Sequence, residues 1–237
     1  LIAFRDTEGR AGVVSAYCPH RRAPMFFGRN EECGLRCVYH GWKFDVTGAC
    51  VDMPSEPPDS LFKTKVRIEA YPTYEAGDVV WVYMGPPERQ PPYPDYEWMR
   101  APATHRFVSR TFEECNWLQA LEGGLDTAHS SFLHNQNIGD MNQLRNADTA
   151  PRLEVDKTDY GFRYAGIRSI AASEDYVRVY HFLMPAQQCR GYVSGRKADP
   201  KHQATIHGHF WLPIDDYTTL TWNTMYAYCL LYTSPSP

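Results

Sequence analysis

The chain has 237 residues, of which 43% are hydrophobic, and a formal net charge of -4 at neutral pH. That length supports one large core or two modest ones, and two domains are the expectation. The charge provides no basic field for a nucleic-acid backbone, and no apolar run is long enough to cross a bilayer or opens the chain as a secretion signal, so the expected compartment is the cytoplasm.

Residues 1 to 6 and 11 to 17 are short apolar runs around the turn Asp6-Thr7-Glu8-Gly9, which predicts a hairpin. It leads into a loop holding Cys18 and His20, and after a polar segment a second turn holds Cys37 and His40. Each loop thus offers one thiolate and one imidazole, and the two can close on one metal centre. Zinc sites of the Cys2His2 type usually take two cysteines from one loop and two histidines from the other. Mixed loops suit a two-iron two-sulfur cluster, one iron held by both thiolates and the other by both imidazoles. The other cysteines, Cys33, Cys50, Cys115, Cys189 and Cys229, read as reduced core or surface thiols, although Cys33 and Cys50 flank the second loop. Strands are expected at 66–70 and 78–84, the latter apolar on both faces and therefore central.

Six prolines between Gly85 and Pro102 mark an extended linker. The expected boundaries are 1–84 for a first domain, an antiparallel β-sandwich, 85–104 for the linker, 105–228 for a second domain, and a Ser/Pro tail of doubtful origin at 229–237. After a strand near 105–114, Asn116 stands as an N-cap. Leu118, Leu121, Leu125, Ala128 and Phe132 then predict one buried stripe of a helix over 117–134. Glu122, Asp126 and His129 form a polar line beside that stripe. His134 lies five residues beyond His129, about 140° away on a regular helix, so both imidazoles reach one ion only if the helix breaks near Ser130 and Ser131. Gly123 and Gly124 in mid-helix cost about 2 kcal/mol against alanine, which predicts a compensating close backbone approach. From Pro151 onward short strands alternate with turns, so the second domain is an antiparallel sheet packed by helices and the overall class is α+β. His207 and His209 straddle Gly208 on one strand face, suited to a substrate pocket or to a cross-strand polar face. The loop at 135–150 could gate such a pocket.

CPH at 18–20 with CVYHGW at 37–42 resembles the signature of Rieske proteins. Trp42 resembles the apolar lid over the cluster. Ala23 and Tyr39 stand where respiratory members carry an extra disulfide, which favours the oxygenase branch. EGGLDTAHSSFLH at 122–134 resembles the mononuclear-iron motif of Rieske oxygenases, with Gly123 in place of an asparagine. Together with GHFWLPIDD at 208–216, it is most similar to the phthalate dioxygenase branch. The resemblance spans residues 1 to 228.

The resemblance implies an N-terminal Rieske domain and an incomplete, helix-grip-like catalytic domain. It implies that Cys18, His20, Cys37 and His40 hold the 2Fe–2S cluster and that His129 and His134 bind the iron. Asp126 becomes the electron-transfer bridge between subunits of a homotrimer. A third carboxylate ligand is expected from an aspartate beyond the chain, since Asp215 and Asp216 read as a surface turn and both ends look cut. The implied system is the oxygenase component of an aromatic hydroxylating or O-demethylating enzyme, with a small aromatic substrate and O2. Its electrons come from NAD(P)H through a separate flavin and iron–sulfur reductase, in keeping with the lack of a nicotinamide-binding glycine pattern here. Two rival readings are a Rieske electron carrier without oxygenase activity and a structural zinc protein.

Overall fold

The computed structural model describes residues 1–134, 148–192 and 205–227. The tail at 229–237 and most of the loop at 135–150 lie outside them. The chain divides into two compact units, Leu1–Asp95 and Tyr96–Pro237. That division falls within the segment expected as linker, because its last part is a short helix, α1 (Glu97–Arg100), whose Trp98 and Met99 are buried.

In the first unit, β1 (Ile2–Arg5) and β2 (Ala11–Val14) form the expected hairpin, and β7 (Ala70–Tyr71) pairs with β2. A four-stranded sheet follows in simple meander order: β3 (Arg29–Glu31), β4 (Gly34–Arg36), β5 (Lys43–Phe44) and β6 (Cys50–Asp52). Val14 from one sheet and Leu35, Phe44 and Cys50 from the other share a core with Met25, Met53 and Ile68. Two strand expectations need correction. Of 66–70 only Ala70 joins a named strand, while Arg67 makes an isolated bridge to Ala49. The 78–84 strand is not central: β9 (Val79–Val82) pairs only with β8 (Thr73–Ala76) in a two-stranded sheet. Val80 and Val82 remain exposed, since a two-stranded ribbon has no second layer to cover an apolar face.

The second unit is a seven-stranded antiparallel sheet. Its strands are β10 (Arg106–Glu113), β11 (Arg152–Thr158), β12 (Gly161–Ala171), β13 (Glu174–Leu183), β14 (Gln187–Tyr192), β15 (Thr205–Pro213) and β16 (Thr219–Tyr226), in the order β10-β16-β15-β14-β13-β12-β11. The α+β expectation therefore holds, with one strand, β14, added to it. Helix α2 (Trp117–Leu125) begins at Asn116, whose side chain accepts from the Leu118 amide at 3.0 Å, as an N-cap does. Leu121 packs with Trp211 and Phe182, flanked by Trp117, Ala120 and Leu125.

The expected helix over 117–134 ends at Leu125, earlier than the break anticipated near Ser130. Asp126 leaves the helical region with ψ of 135°, and a separate 3-10 turn spans His129–Ser131. The single buried stripe is lost with it: Leu118 and Phe132 are exposed. Only one of the paired glycines makes the close approach. A β-carbon on Gly124 would lie 2.1 Å from the Trp211 ring, whereas one on Gly123 would meet nothing within 4 Å.

Candidate metal centres

In the first unit each metal-ligand loop closes on itself. The Cys18 amide donates to the Ala23 carbonyl (2.9 Å) and the Arg22 amide to the Cys18 carbonyl (2.9 Å). The second loop repeats the pattern, with the Cys37 amide on the Trp42 carbonyl (2.8 Å) and the Gly41 amide on the Cys37 carbonyl (3.1 Å). Gly41 has φ of +76°, and a β-carbon there would strike Pro54 at 2.6 Å, so the HisGlyTrp turn needs glycine. Arg36 secures this turn, donating to the Gly41 carbonyl (2.6 Å) and to Asp52 (2.7 Å).

These loops bring the four donors to one small recess, lined by Cys18, His20, Cys37, His40 and Trp42. The thiols are buried, and burial pushes the Cys18 thiol up to about 11, with the neighbouring Cys37 adding to the rise. The imidazoles of His20 and His40 pair edge to face, their rings 4.6 Å apart. Burial, with His40 and Arg21, holds His20 below the usual histidine range, in the neutral form a metal takes. Trp42 stacks flat on His20, 4.4 Å between centroids, and donates its indole N–H to Ser55 at 3.0 Å.

A single tetrahedral zinc ion would take all four donors together, at bonds of about 2.0 to 2.3 Å. Thiol beside thiol and imidazole beside imidazole fits a two-iron two-sulfur cluster instead. Cys50 stays in the core with its thiol toward the Asp52 carbonyl, and Cys33 meets Thr7.

The second unit holds a cavity of about 650 Å³ between α2 and the sheet. Asp126, His129 and His134 line it from the chain after α2, and His207 and His209 from β15. The His129 and His134 rings lie 5.3 Å apart. Asp126 caps the turn that follows the helix: its carboxylate accepts from the Ala128 and His129 amides, both at 2.9 Å. It also contacts His129 Nδ1 at 3.0 Å, which leaves Nε2 for a metal. Burial raises the Asp126 carboxyl, but these bonds outweigh it and hold the group below the usual aspartate range. Glu122 is exposed and does not line the cavity, because the helix ends before its polar line reaches His129. Asp215 and Asp216 form the expected exposed turn, where Asp215 accepts from the Tyr217 amide and the Thr218 hydroxyl.

His207 and His209 do point to one face, as their alternation predicts. Burial first, then Arg190, His209 and Arg178, pushes His207 down to about 4, and burial with Arg190 lowers His209, so both are neutral at pH 7. Sequence reasoning missed Glu113, Arg178, Arg190, Trp211 and Asn223, which also line the cavity. Their strand alternation was the available signal, and β14, carrier of Arg190, was not read as a strand. A larger cavity of about 690 Å³, lined by Val177, His181, Cys189 and Ile206, opens on the other face of the sheet and holds none of the predicted donors.

A cluster domain followed by a cavity with paired histidines defines a Rieske protein of the two-domain, oxygenase type. The profile of the Rieske [2Fe-2S] domain matches residues 1–74, and that of the LigXa C-terminal domain matches 82–191. The phthalate 4,5-dioxygenase oxygenase subunit of Pseudomonas putida is 48% identical over 202 residues, 78% of this chain and 46% of that protein. The 3-chlorobenzoate-3,4-dioxygenase oxygenase subunit of Comamonas testosteroni is 41% identical over 228 residues, 93% of this chain and 51% of that protein. The chain spans about half the length of the curated relatives it matches. A crystal structure of dicamba monooxygenase superposes with a TM-score of 0.71 at 19% identity, covering 94% of this chain and 68% of that one, and so shows the shared fold. The chain belongs to the Rieske non-haem iron oxygenases, in the phthalate dioxygenase-like branch. Among its described residues no helix is long and apolar enough to cross a membrane.

Proposed function

We propose that this chain supplies the cluster domain and part of the catalytic domain of an oxygenase component acting on an anionic aromatic compound. The observation that carries the reading is the presence of two separate donor sets in one chain. Cys18 and Cys37 face His20 and His40 in one unit, and His129 and His134 share a cavity in the other. An electron carrier needs only the first set, and the match of residues 1–74 to the Rieske [2Fe-2S] domain favours a cluster over zinc in that set.

When bound, the cluster supplies single electrons and the iron supplies dioxygen activation. The buried Cys18 and Cys37 and the half-buried His20 and His40 would hold the cluster. Trp42 covers His20 and excludes water from that side. His129 and His134 would hold the iron. Asp126 fixes the His129 tautomer, and its side chain, 45% exposed, is open to a histidine of a neighbouring copy in a homotrimer. Arg178 and Arg190 line the cavity with Glu113 and Asp126, and their guanidinium groups suit a carboxylate or sulfonate. Trp211 offers an apolar wall for a ring. His207 and His209, neutral and buried, can hydrogen-bond substrate polar groups. A separate NAD(P)H-oxidising flavin and iron–sulfur reductase is the partner.

Iron analysis and paramagnetic resonance of the dithionite-reduced full-length protein test the reading. About three irons per chain and a Rieske signal are expected, and about two if His129 is replaced by Ala. Turnover of phthalate or benzoate with a surrogate reductase is the functional arm. A colourless, iron-free folded product would overturn it.

A further inference from the structure

His129 stands outside α2, at the start of a single 3-10 turn. Helix α2 stops at Leu125, and the last carbonyls of a helix find no partner within it. Three side chains of the sheet bond carbonyls at and just past this end. Gln188 Nε2 donates to the Gly124 carbonyl at 2.9 Å, the Tyr164 hydroxyl to the Leu125 carbonyl at 2.7 Å, and Arg168 to the Thr127 carbonyl at 2.7 Å. The Gln188 amide also donates to the Tyr164 hydroxyl at 2.7 Å, so that hydroxyl receives one bond and passes another on. A second contact of Arg168 reaches the Ser131 hydroxyl at 3.4 Å, and its Nε bonds the Asp148 carbonyl at 3.0 Å. Arg168 therefore grips the chain on both sides of His129.

The strand is built for this. Tyr164, Gly166 and Arg168 alternate on one face of β12, and all three are buried. Thr127 seats over Gly166, where an added β-carbon would lie 3.2 Å from its hydroxyl. Arg168 is 1% exposed and Gln188 0%. A buried guanidinium is costly unless its donors are satisfied, and the acceptors here are backbone carbonyls of the histidine-bearing turn and of the chain leading into β11. None of the three side chains lines the cavity.

We infer that Arg168, Tyr164 and Gln188 are positioning residues of the second metal site: they pin the backbone at Gly124, Leu125 and Thr127 and thereby aim the His129 imidazole. The inference rests on the reading that His129 and His134 bind a metal. Bonds at three anchor points, added to the Asp126 cap, hold this short 3-10 turn and its ligand in one orientation. Outer partners of this kind are typically worth 10- to 100-fold in metal affinity.

The test is an anaerobic Fe(II) titration of the full-length protein with its cluster in place, read by calorimetry. The resonance spectrum of the nitric oxide adduct of the added iron reports ligand geometry. Arg168→Met and Tyr164→Phe should each weaken Fe(II) binding about 10- to 100-fold and broaden the nitrosyl signal, with the cluster spectrum unchanged. Arg168→Lys, which keeps the charge but not the fork, should fall between parent and Arg168→Met. A folded Arg168→Met variant with the parental Kd and nitrosyl signal would overturn the inference. If that variant fails to fold, Tyr164→Phe, which deletes one hydroxyl, decides by the same two readouts. His129→Ala separates the levels: parental Fe(II) binding by it removes the underlying site reading. Loss of binding by it, with parental binding in both positioning variants, removes this inference alone.

Discussion

The donors of the first unit are held by backbone bonds that begin and end within a single loop: Cys18 to Ala23, and Cys37 to Trp42. The second unit adds, to the local cap that Asp126 gives its histidine turn, bonds from side chains far away in sequence, with separations of 64, 39 and 41 residues for those to Gly124, Leu125 and Thr127. A locally closed loop keeps its shape as long as its own hairpin is formed. A turn pinned by a sheet keeps its shape only while the sheet is intact, so perturbing the second unit should loosen its metal well before the chain unfolds.

The largest effect expected lies on the local side. Cys37→Ser removes one of two buried thiols and leaves an iron without its ligand set, so the visible absorption of the cluster should vanish entirely. Because the second site is built from other residues, Fe(II) binding there should persist in the same variant. Simultaneous loss of both would show that the units do not hold their donors independently.

Next in size is Gly124→Ala. The new β-carbon would lie 2.1 Å from the Trp211 ring, a buried indole with little room to give. Overpacking of this kind costs about 1 to 3 kcal/mol, against about 1 kcal/mol gained from helix propensity. Urea unfolding should show a net loss of up to about 2 kcal/mol. Displacement of α2 should also stretch the Gln188 bond to the Gly124 carbonyl, so second-site Fe(II) affinity should fall too. Unchanged stability would mean that α2 is free to shift outward.

The same contrast explains what was legible in the sequence. The cluster loops could be read because cysteine, histidine and glycine identities, at fixed local spacing, specify them almost alone. The cap at Asn116 was legible for the same reason. The end of α2 was not, because the apolar repeat from Leu118 to Phe132 continues through it. The missed signal was Asp126, whose carboxylate accepts from amides two and three residues on, as a capping residue does at the start of a new turn. Strand β14 has no apolar alternation to mark it, because Gln187, Gln188 and Arg190 are polar, yet Gln187 and Gln188 are buried and Gln188 finds its partners elsewhere in the fold. Arg168 carried no local mark at all. A buried arginine becomes intelligible only once the carbonyls opposite it are in place.

A smaller effect of opposite sign should come from Gly123→Ala. Nothing lies within 4 Å of a β-carbon there, so helix propensity acts alone and stability should rise by about 1 kcal/mol in urea unfolding. Gly123 also lines the cavity, and it stands where many relatives of the motif carry an asparagine. A gain in stability with unaltered Fe(II) affinity would confirm that this glycine, unlike its neighbour, is no part of the packing that holds the site.

The smallest effect returns to the locally closed side. Asp6 lies at the β1–β2 turn, where its carboxylate accepts from the Glu8 and Arg10 amides at 3.0 and 2.8 Å and from the Arg10 side chain at 2.7 Å. Burial raises the carboxyl, but the Arg10 side chain and the two amides outweigh it and hold it below the usual aspartate range. A carboxylate lowered on folding stabilises the fold above its unfolded value, about pH 4, and that contribution fades as pH falls through the folded value. Asp6→Asn keeps the shape but cannot titrate. The gap in thermal midpoint between parent and Asp6→Asn should therefore be full near neutrality and close below about pH 4. Because every partner of Asp6 lies within four residues, second-site Fe(II) affinity in this variant should match the parent at neutral pH. A drop in that affinity would mean that a bond confined to one turn of the first unit reaches the sheet of the second.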